Sequence, residues 1–231
     1  MLRRNDMAIT HDGKALHVVG NADRKQLARM FQLDVDLSEF IALTRSSPAH
    51  VWVEREGFGR LLCAPTLFED IIKIILTTNV QWSQTVKMAE LLVAVCGRRG
   101  AFPTPKDILR FTPDDLKERC RLGYRATSIH KLAAGVVEGS IDLDRISDPA
   151  QSTAELFASY LELPGIGPYG AAHLLAMDGR HDFIAVDTEF RRFVRQTYHG
   201  GRAVSDKALL RRYAKWGRWK YLAYWAELHH S

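Results

Sequence analysis

The stretches whose residue types and spacing bear most directly on chemistry are Leu163-Pro164-Gly165-Ile166-Gly167-Pro168-Tyr169-Gly170-Ala171 and, sixteen residues past its last glycine, Val186-Asp187. Pro164 ends one helix, Gly165 and Gly167 are expected to supply the dihedrals of a sharp turn, and Pro168 suits the first turn of the next helix. Such a turn offers free backbone N–H groups at a helix N-terminus. The helix dipole also favours negative charge there, so a phosphate can approach the main chain with no side chain between. Pro and Gly punctuate ordinary helix connections too, but this pattern is longer and more specific than a lone pair of glycines. Asp187 ends the run Phe183-Ile184-Ala185-Val186 and precedes a helical face marked by Phe190, Phe193 and Val194. An aspartate so placed is a ready N-cap, and capping does not exclude a chemical role.

The elements that must position these groups read as helices. Leu156, Phe157, Tyr160 and Leu161 before the turn, and Ala171, Leu174 and Leu175 after it, recur at helical spacing, giving a hairpin over about 156–177. Earlier, Leu27, Met30, Phe31 and Leu33 mark a first helix. Gly57 to Leu62 is a loop leading to Pro65, which is expected to open a helix burying Phe68, Ile71, Ile72 and Ile75. The polar run Thr77-Thr78-Asn79-Val80-Gln81-Trp82-Ser83 ends that helix, and another from about Ser83 buries Met88, Leu91, Leu92 and Val95. Ala101 to Pro105 starts the next, Leu122-Gly123-Tyr124-Arg125-Ala126 follows, and Ile129, Leu132 and Val136 form a helix that Gly139 ends. Ile141 to Ser147 reads as a connector, and Leu16 to Val19 as a short strand. The fold class is therefore mainly α, with a small N-terminal strand remnant.

Composition narrows the class. The 231 residues are 46% hydrophobic and 26% charged, as in an ordinary globular chain, which argues against disorder and coiled coil. No apolar run nears the roughly 20 residues of a membrane span, and Met1-Leu2-Arg3-Arg4-Asn5-Asp6 lacks the apolar centre of a signal peptide, so a cytoplasmic protein is expected, nucleoid-associated if bacterial. Cys63, Cys96 and Cys120 are odd in number and widely spaced, which fits reduced core thiols rather than a disulfide framework or a zinc site. From Thr188 onward ten Lys and Arg stand against three Asp and Glu, so the whole excess of the net +5 lies in the last fifth of the chain. Arg191, Arg192, Arg195, Arg202, Lys207, Arg211, Arg212, Lys215, Arg218 and Lys220 form a candidate phosphate-facing surface, although a basic tail is often only a solvated face.

With LPGIGPYGA and the following aspartate, the chain resembles the helix-hairpin-helix DNA glycosylase superfamily, whose signature is LPGxGxxxA and a catalytic aspartate shortly after. The resemblance runs from about Ala22 to the C-terminus. It is nearest the branch of 8-oxoguanine glycosylase and bacterial 3-methyladenine glycosylase II. It implies a two-lobed helical fold with a cleft, residues 65–231 forming the core and residues 1–64 a reduced, partly helical N-terminal segment. The partner it implies is double-stranded DNA carrying a damaged base, bound by a monomer. The iron–sulfur cluster of some relatives is not expected, since no cysteine follows Cys120. A monovalent cation held by hairpin carbonyls is a feature of relatives, and no essential metal is expected.

The resemblance also assigns roles. Asp187 would be catalytic, stabilising the positive charge that builds on the sugar as the base departs and orienting water for the displacement. Pro164, Gly165, Ile166, Gly167 and Gly170 would form the DNA-binding hairpin. Tyr169 stands where the 8-oxoguanine branch has a Schiff-base lysine, and no lysine lies between Lys131 and Asp187. Tyr169, His173 and Trp225 would instead line an aromatic pocket, as in the alkyl-purine enzymes, unless they are simply core. Asn79 would enter the duplex as the base leaves it, with Gln81 and Trp82 able to share the role, though Trp82 has the look of a core residue. Gly123-Tyr124-Arg125-Ala126 resembles the 8-oxoguanine branch, where the aromatic and the arginine contact opened DNA; plain turn packing for these two and capping by Asn79 are the bland alternatives. The expected activity is monofunctional: hydrolytic release of a damaged, N-alkylated purine without strand cleavage. An 8-oxoguanine-type glycosylase/lyase and a non-catalytic DNA-binding module are the alternatives.

Overall fold

The computed structural model describes residues 2–4, 7–11, 16–20 and 23–230. Ala22, where the resemblance begins, and Met1, Asn5 and Asp6 of the N-terminal reading lie outside them. Three short strands, β1 (Leu2–Arg4), β2 (Met7–His11) and β3 (Leu16–Gly20), form an antiparallel sheet in the order β1-β2-β3, Ala8 facing Val19. The expected strand at Leu16 to Val19 is β3, which pairs with β2 at one edge of the sheet. Helices follow: α1 (Arg24–Met30), α2 (Ser38–Thr44), α3 (Trp52–Glu56), α4 (Leu67–Thr77), α5 (Trp82–Cys96), α6 (Pro105–Ile108), α7 (Pro113–Arg119) and α8 (Arg125–Glu138). Then come α9 (Leu143–Ile146), α10 (Thr153–Leu161), α11 (Pro168–Met177), α12 (Thr188–His199), α13 (Asp206–Arg211), a 3-10 turn (Ala214–Trp219) and α14 (Lys220–His229).

Local chemistry sets most helix ends. Thr104 and Thr112 each accept from the backbone N–H three residues on, and Asp107 and Asp115 return the bond to the capping backbone, with Pro105 and Pro113 at the first helical positions. Gly139 closes α8 with a φ of 79°. Pro65 does not open a helix, contrary to expectation: α4 begins at Leu67 with Thr66 as its cap, since the Thr66 hydroxyl can take the Glu69 N–H and proline has no such group. The expected connector after Ile141 contains α9, because Asp142 caps Arg145.

The chain divides into two compact units. The first is made of residues 1–30, 64–149 and 162–166, the second of residues 31–63, 150–161 and 167–231. In the first, α4 buries Leu67, Phe68, Ile71, Ile72, Ile74, Ile75 and Leu76, α8 buries Ile129, Leu132 and Ala133, and Cys96 and Cys120 are buried free thiols. The second is built on an aromatic core in which Phe40, Phe190, Tyr213, Trp216, Trp219, Leu222 and Tyr224 are buried. Burial of this many large rings is the main favourable term in its folding.

One polar side chain ties the early segment into the second unit. Gln32, 4% exposed, donates through its amide to the carbonyls of Ala176 and Met177 at 2.8 and 2.9 Å and accepts from the Leu61 N–H at 2.8 Å. Gln32→Leu would leave those groups buried without partners. A loss of roughly 2–3 kcal/mol is expected, read as a lower melting temperature, whereas an unchanged melt would show that water satisfies them instead.

Candidate active site

The hairpin turn is tight. The Ile166 N–H donates to the Leu163 carbonyl at 3.1 Å, and both side chains are buried. Gly165 takes a φ of 83°, and a Cβ there would stand 2.8 Å from the Ser128 Cβ, so conformation and space both require glycine. Gly167 behaves differently from expectation. Its φ of −108° and ψ of −173° are open to any residue, and nothing lies within 4 Å of where a Cβ would sit. What glycine contributes there is an uncovered backbone rather than a special dihedral. Pro168 takes the first position of α11, and its cap, Gly167, has no side chain to receive the first-turn N–H groups. Gly165, Gly167 and Pro168 are exposed, Pro164 is half-buried and Gly170 is buried in α11.

Asp187 sits at the N-terminus of α12, where its Oδ1 accepts the Phe190 N–H at 2.7 Å. Among the described residues its Oδ2 has no hydrogen bond, so one oxygen orients the group and the other remains available. The cap is anchored from behind, since Phe190, Phe193 and Val194 of α12 are buried and the Phe190 ring meets Tyr224 edge-on at 5.1 Å.

Three of the expected pocket residues belong to one row of rings. Tyr169 and His173, one turn apart on α11, meet edge-on at 4.5 Å, and His173 meets Tyr221 edge-on at 6.0 Å. The Tyr221 hydroxyl lies 3.4 Å from His173 Nδ1, and its ring stacks on Trp225 at 5.9 Å. Tyr221 was not singled out in the sequence, although its spacing of four from Trp225 puts both on one side of α14.

Burial keeps these groups neutral. Desolvation pushes His173 down to about 4, against the opposing charge of Asp187, and its Nε2 is buried without a hydrogen bond. Desolvation also raises Tyr221 and Tyr224 well above the ordinary phenol range, helped in both by the Asp187 carboxylate. His181, 1% exposed and flanked by Trp219 at 5.7 Å and Tyr221 at 6.1 Å, is lowered to about 3 by desolvation and then by the charge of Arg218. Grooves of about 470 and 680 Å³ are present on this unit, the larger lined by Phe183, Lys207, Arg211 and Lys220 among others, and Asp187 lines neither.

The expected DNA contacts at the end of α4 form a separate cluster in the first unit. Asn79 has a left-handed φ of 49° and does not cap α5, whose N-cap is Gln81. Its amide donates to the Tyr124 hydroxyl at 3.3 Å, and that hydroxyl is 3.1 Å from Thr78 Oγ1. Gln81 is exposed and Tyr124 is 63% exposed. Arg125 is turned inward instead: it is buried, its guanidinium donates to the Thr78 carbonyl and lies 4.6 Å from the centre of the Tyr124 ring. Trp82 is no core residue, being 73% exposed. The basic C-terminal surface is partly spent on internal pairs, Arg191 with Asp206, Arg192 with Glu189 and Arg218 with Glu39. Among the described residues no group of three His, Cys, Asp or Glu side chains could hold a metal ion, and no helix is long and apolar enough to cross a membrane.

The site thus consists of a helical hairpin whose donor edge is open, followed by a capped aspartate. Residues 72–218 match the model of the HhH-GPD superfamily base excision DNA repair proteins, and the chain belongs to that family. No curated protein matches it. The fold is shared with the 8-oxoguanine glycosylase/lyase of Clostridium acetobutylicum (TM-score 0.76, 20% identity, 97% of this chain and 81% of that one). It is shared too with the 3-methyladenine DNA glycosylase of Archaeoglobus fulgidus (0.75, 22%, 97% and 82%). The 3-methyladenine DNA glycosylase of Schizosaccharomyces pombe in complex with abasic DNA is similar over 82% of this chain and 94% of its own (0.66, 18%).

Two measurements follow from this geometry. Gly165→Ala is expected to cost about 1–3 kcal/mol in stability, read by thermal melting, because both the dihedral and the Ser128 contact oppose it. His173 and His181 stay neutral in the folded protein down to about pH 4 and 3, whereas an unfolded chain takes up those protons from about pH 6.5. The unfolded state then binds more protons, and stability falls as pH drops through that window. His181→Phe removes one of the two, so its melting temperature should fall less than that of the wild type between pH 7 and pH 4.5; parallel curves would refute the burial argument.

Proposed function

We propose that this chain is a monofunctional DNA N-glycosylase, which takes a damaged nucleotide out of duplex DNA and hydrolyses its glycosidic bond, with N-alkylated, 3-methyladenine-like purines as substrates. The observation that carries the proposal is Tyr169 at the hairpin, in a row of uncharged rings that includes His173 and Tyr221, with Asp187 near enough for its charge to act on both of the latter. A phenol cannot form an imine with the sugar. Without an amine at this place, water is the nucleophile that remains.

Each group then has a part. The hairpin N–H groups hold a DNA phosphate at the N-terminus of α11. A purine alkylated at N3 or N7 carries positive charge and departs without being protonated, so what it needs is an electron-rich wall with no cation in it. A histidine kept neutral by burial meets that condition, and a protonated one would repel the substrate. The free oxygen of Asp187 stabilises the oxocarbenium-like sugar and orients water toward C1′; the base leaves, and an abasic site remains. Asn79 and Tyr124 fill the space that the flipped nucleotide vacates.

An 8-oxoguanine-type activity is the second reading, favoured by the Asn79 turn and the Gly123-Tyr124-Arg125-Ala126 phrase. Release of free base from duplexes containing either N-alkylated purine or 8-oxoguanine, with strand nicking scored separately, tests both. The expected result is release of alkylated purine without nicking and without an imine trapped by borohydride, and loss of at least a hundredfold in rate in Asp187→Asn. Nicking of 8-oxoguanine DNA would overturn the role given to Tyr169. An Asp187→Asn protein with undiminished release would overturn the role given to the carboxylate.

A further inference from the structure

The larger of the two grooves on the second unit, about 680 Å³, has no part in the chemistry proposed for Asp187. Its floor is apolar, formed by Ala154, Phe183, Ile184 and Leu210. The Phe183 ring stacks on Phe157 at 4.7 Å with an interplanar angle of 5°, and the residue is still 37% exposed, so part of a fixed ring stays open. Lys207, Arg211 and Lys220 line the same groove, the first two one turn apart on α13. Asp182 is the one carboxylate of the lining, and its Oδ2 already accepts from Thr153 Oγ1 at 3.4 Å.

These three cations differ from the rest of the basic C-terminal segment. Of its ten Lys and Arg, the other seven are engaged. Arg191, Arg192 and Arg218 form ion pairs, Arg195 and Arg202 donate to the carbonyls of Val204 and His199, and Arg212 and Lys215 lie over the rings of Tyr198 and Trp216. Among the described residues the side chains of Lys207, Arg211 and Lys220 have no ion pair, hydrogen bond or ring contact. The charge left unspent is thus gathered around one apolar floor, which suits a partner that is both acidic and apolar.

The floor decides between polyanions. A phosphate backbone would meet the cations but leave Phe183, Ile184 and Leu210 facing water, since it has no apolar group to set on them. The groove also opens at the first turn of the nine-residue α10, the end away from the hairpin, roughly 12 Å along the helix axis. A polypeptide carries both kinds of group side by side.

We propose that this groove is a docking site for a protein partner, which inserts a bulky apolar side chain flanked by Asp or Glu residues. Phe183, Ile184 and Leu210 receive the apolar side chain, and Lys207, Arg211 and Lys220 pair with the carboxylates. The inference does not rest on the glycosylase reading, so neither outcome of the base-release assay decides it.

The test is fluorescence anisotropy with short labelled peptides in which Asp and Glu flank a central Phe, Leu or Ala. The Phe and Leu peptides should bind in the micromolar range and the Ala peptide about tenfold or more weakly. Lys207→Gln combined with Arg211→Gln should weaken the Phe peptide about tenfold or more, and so should Ala154→Trp, which fills the floor and keeps every charge. Lys106→Gln combined with Lys117→Gln removes the same charge from the first unit and should leave binding within about twofold. Because Ala154, Lys207 and Arg211 are exposed, the groove variants should melt as the wild type does, which separates their effect from misfolding. An excess of undamaged duplex DNA should not displace the peptide. Displacement by duplex would show that the peptide sits on a nucleic-acid surface and would overturn the proposal. Equal binding of the Ala peptide, binding unmoved by the groove variants, or no binding of the Phe and Leu peptides would overturn it as well.

Discussion

The 2.7 Å hydrogen bond from the Phe190 N–H to Asp187 Oδ1 makes the carboxylate part of the main-chain frame of α12. That helix is in turn held by Phe190, Phe193 and Val194 against a core of Tyr213, Trp216, Leu222 and Tyr224. The direction in which the carboxylate points is thus decided by hydrophobic packing several residues away, as the role proposed for it requires. The same bond makes cap and chemistry compatible: one oxygen serves the helix, and the other has no hydrogen bond among the described residues.

The rings beside it impose a second condition. An imidazole with Nε2 buried and unbonded, and a second imidazole with neither nitrogen bonded, are costly in a folded protein. They are kept neutral by the aromatic surface that excludes water from them. The unit therefore gives up some stability on the acid side.

Much of the scaffold was legible because its determinants are local. The helix start at Thr104-Pro105, the left-handed glycine ending α8, the hairpin itself and Asp187 before its helical face all rest on residues within a few positions of one another, whereas the equally local cap at Thr112 was passed over. Part of what was misjudged or missed, such as the Thr66 cap and the Asp142 cap, is as local, and the rest depends on partners distant in sequence. Arg125 reads as a free donor until the Thr78 carbonyl is found beside it. Gly167 reads as a strained turn until the chain around it proves extended. Trp82 looks like core by composition and by its spacing of three from the buried Thr85, but it is the first residue of α5 and is 73% exposed. His181 gives no sign in the sequence, since its importance comes from Trp219 and Tyr221, which pack against it from beyond α12.

The two compact units are interleaved along the chain. The path passes from the first to the second after Met30, returns at Ala64, crosses again at Ala150, returns for Glu162–Ile166, and ends in the second. A ribosome making this protein therefore releases Phe40 and Trp52 long before Trp216, Trp219 and Leu222, which complete the same core, have been synthesised. That early segment must wait, its apolar side chains uncovered, until nearly the whole chain has emerged. Neither unit can be excised as one continuous fragment, and during biosynthesis the aromatic unit is the last to form.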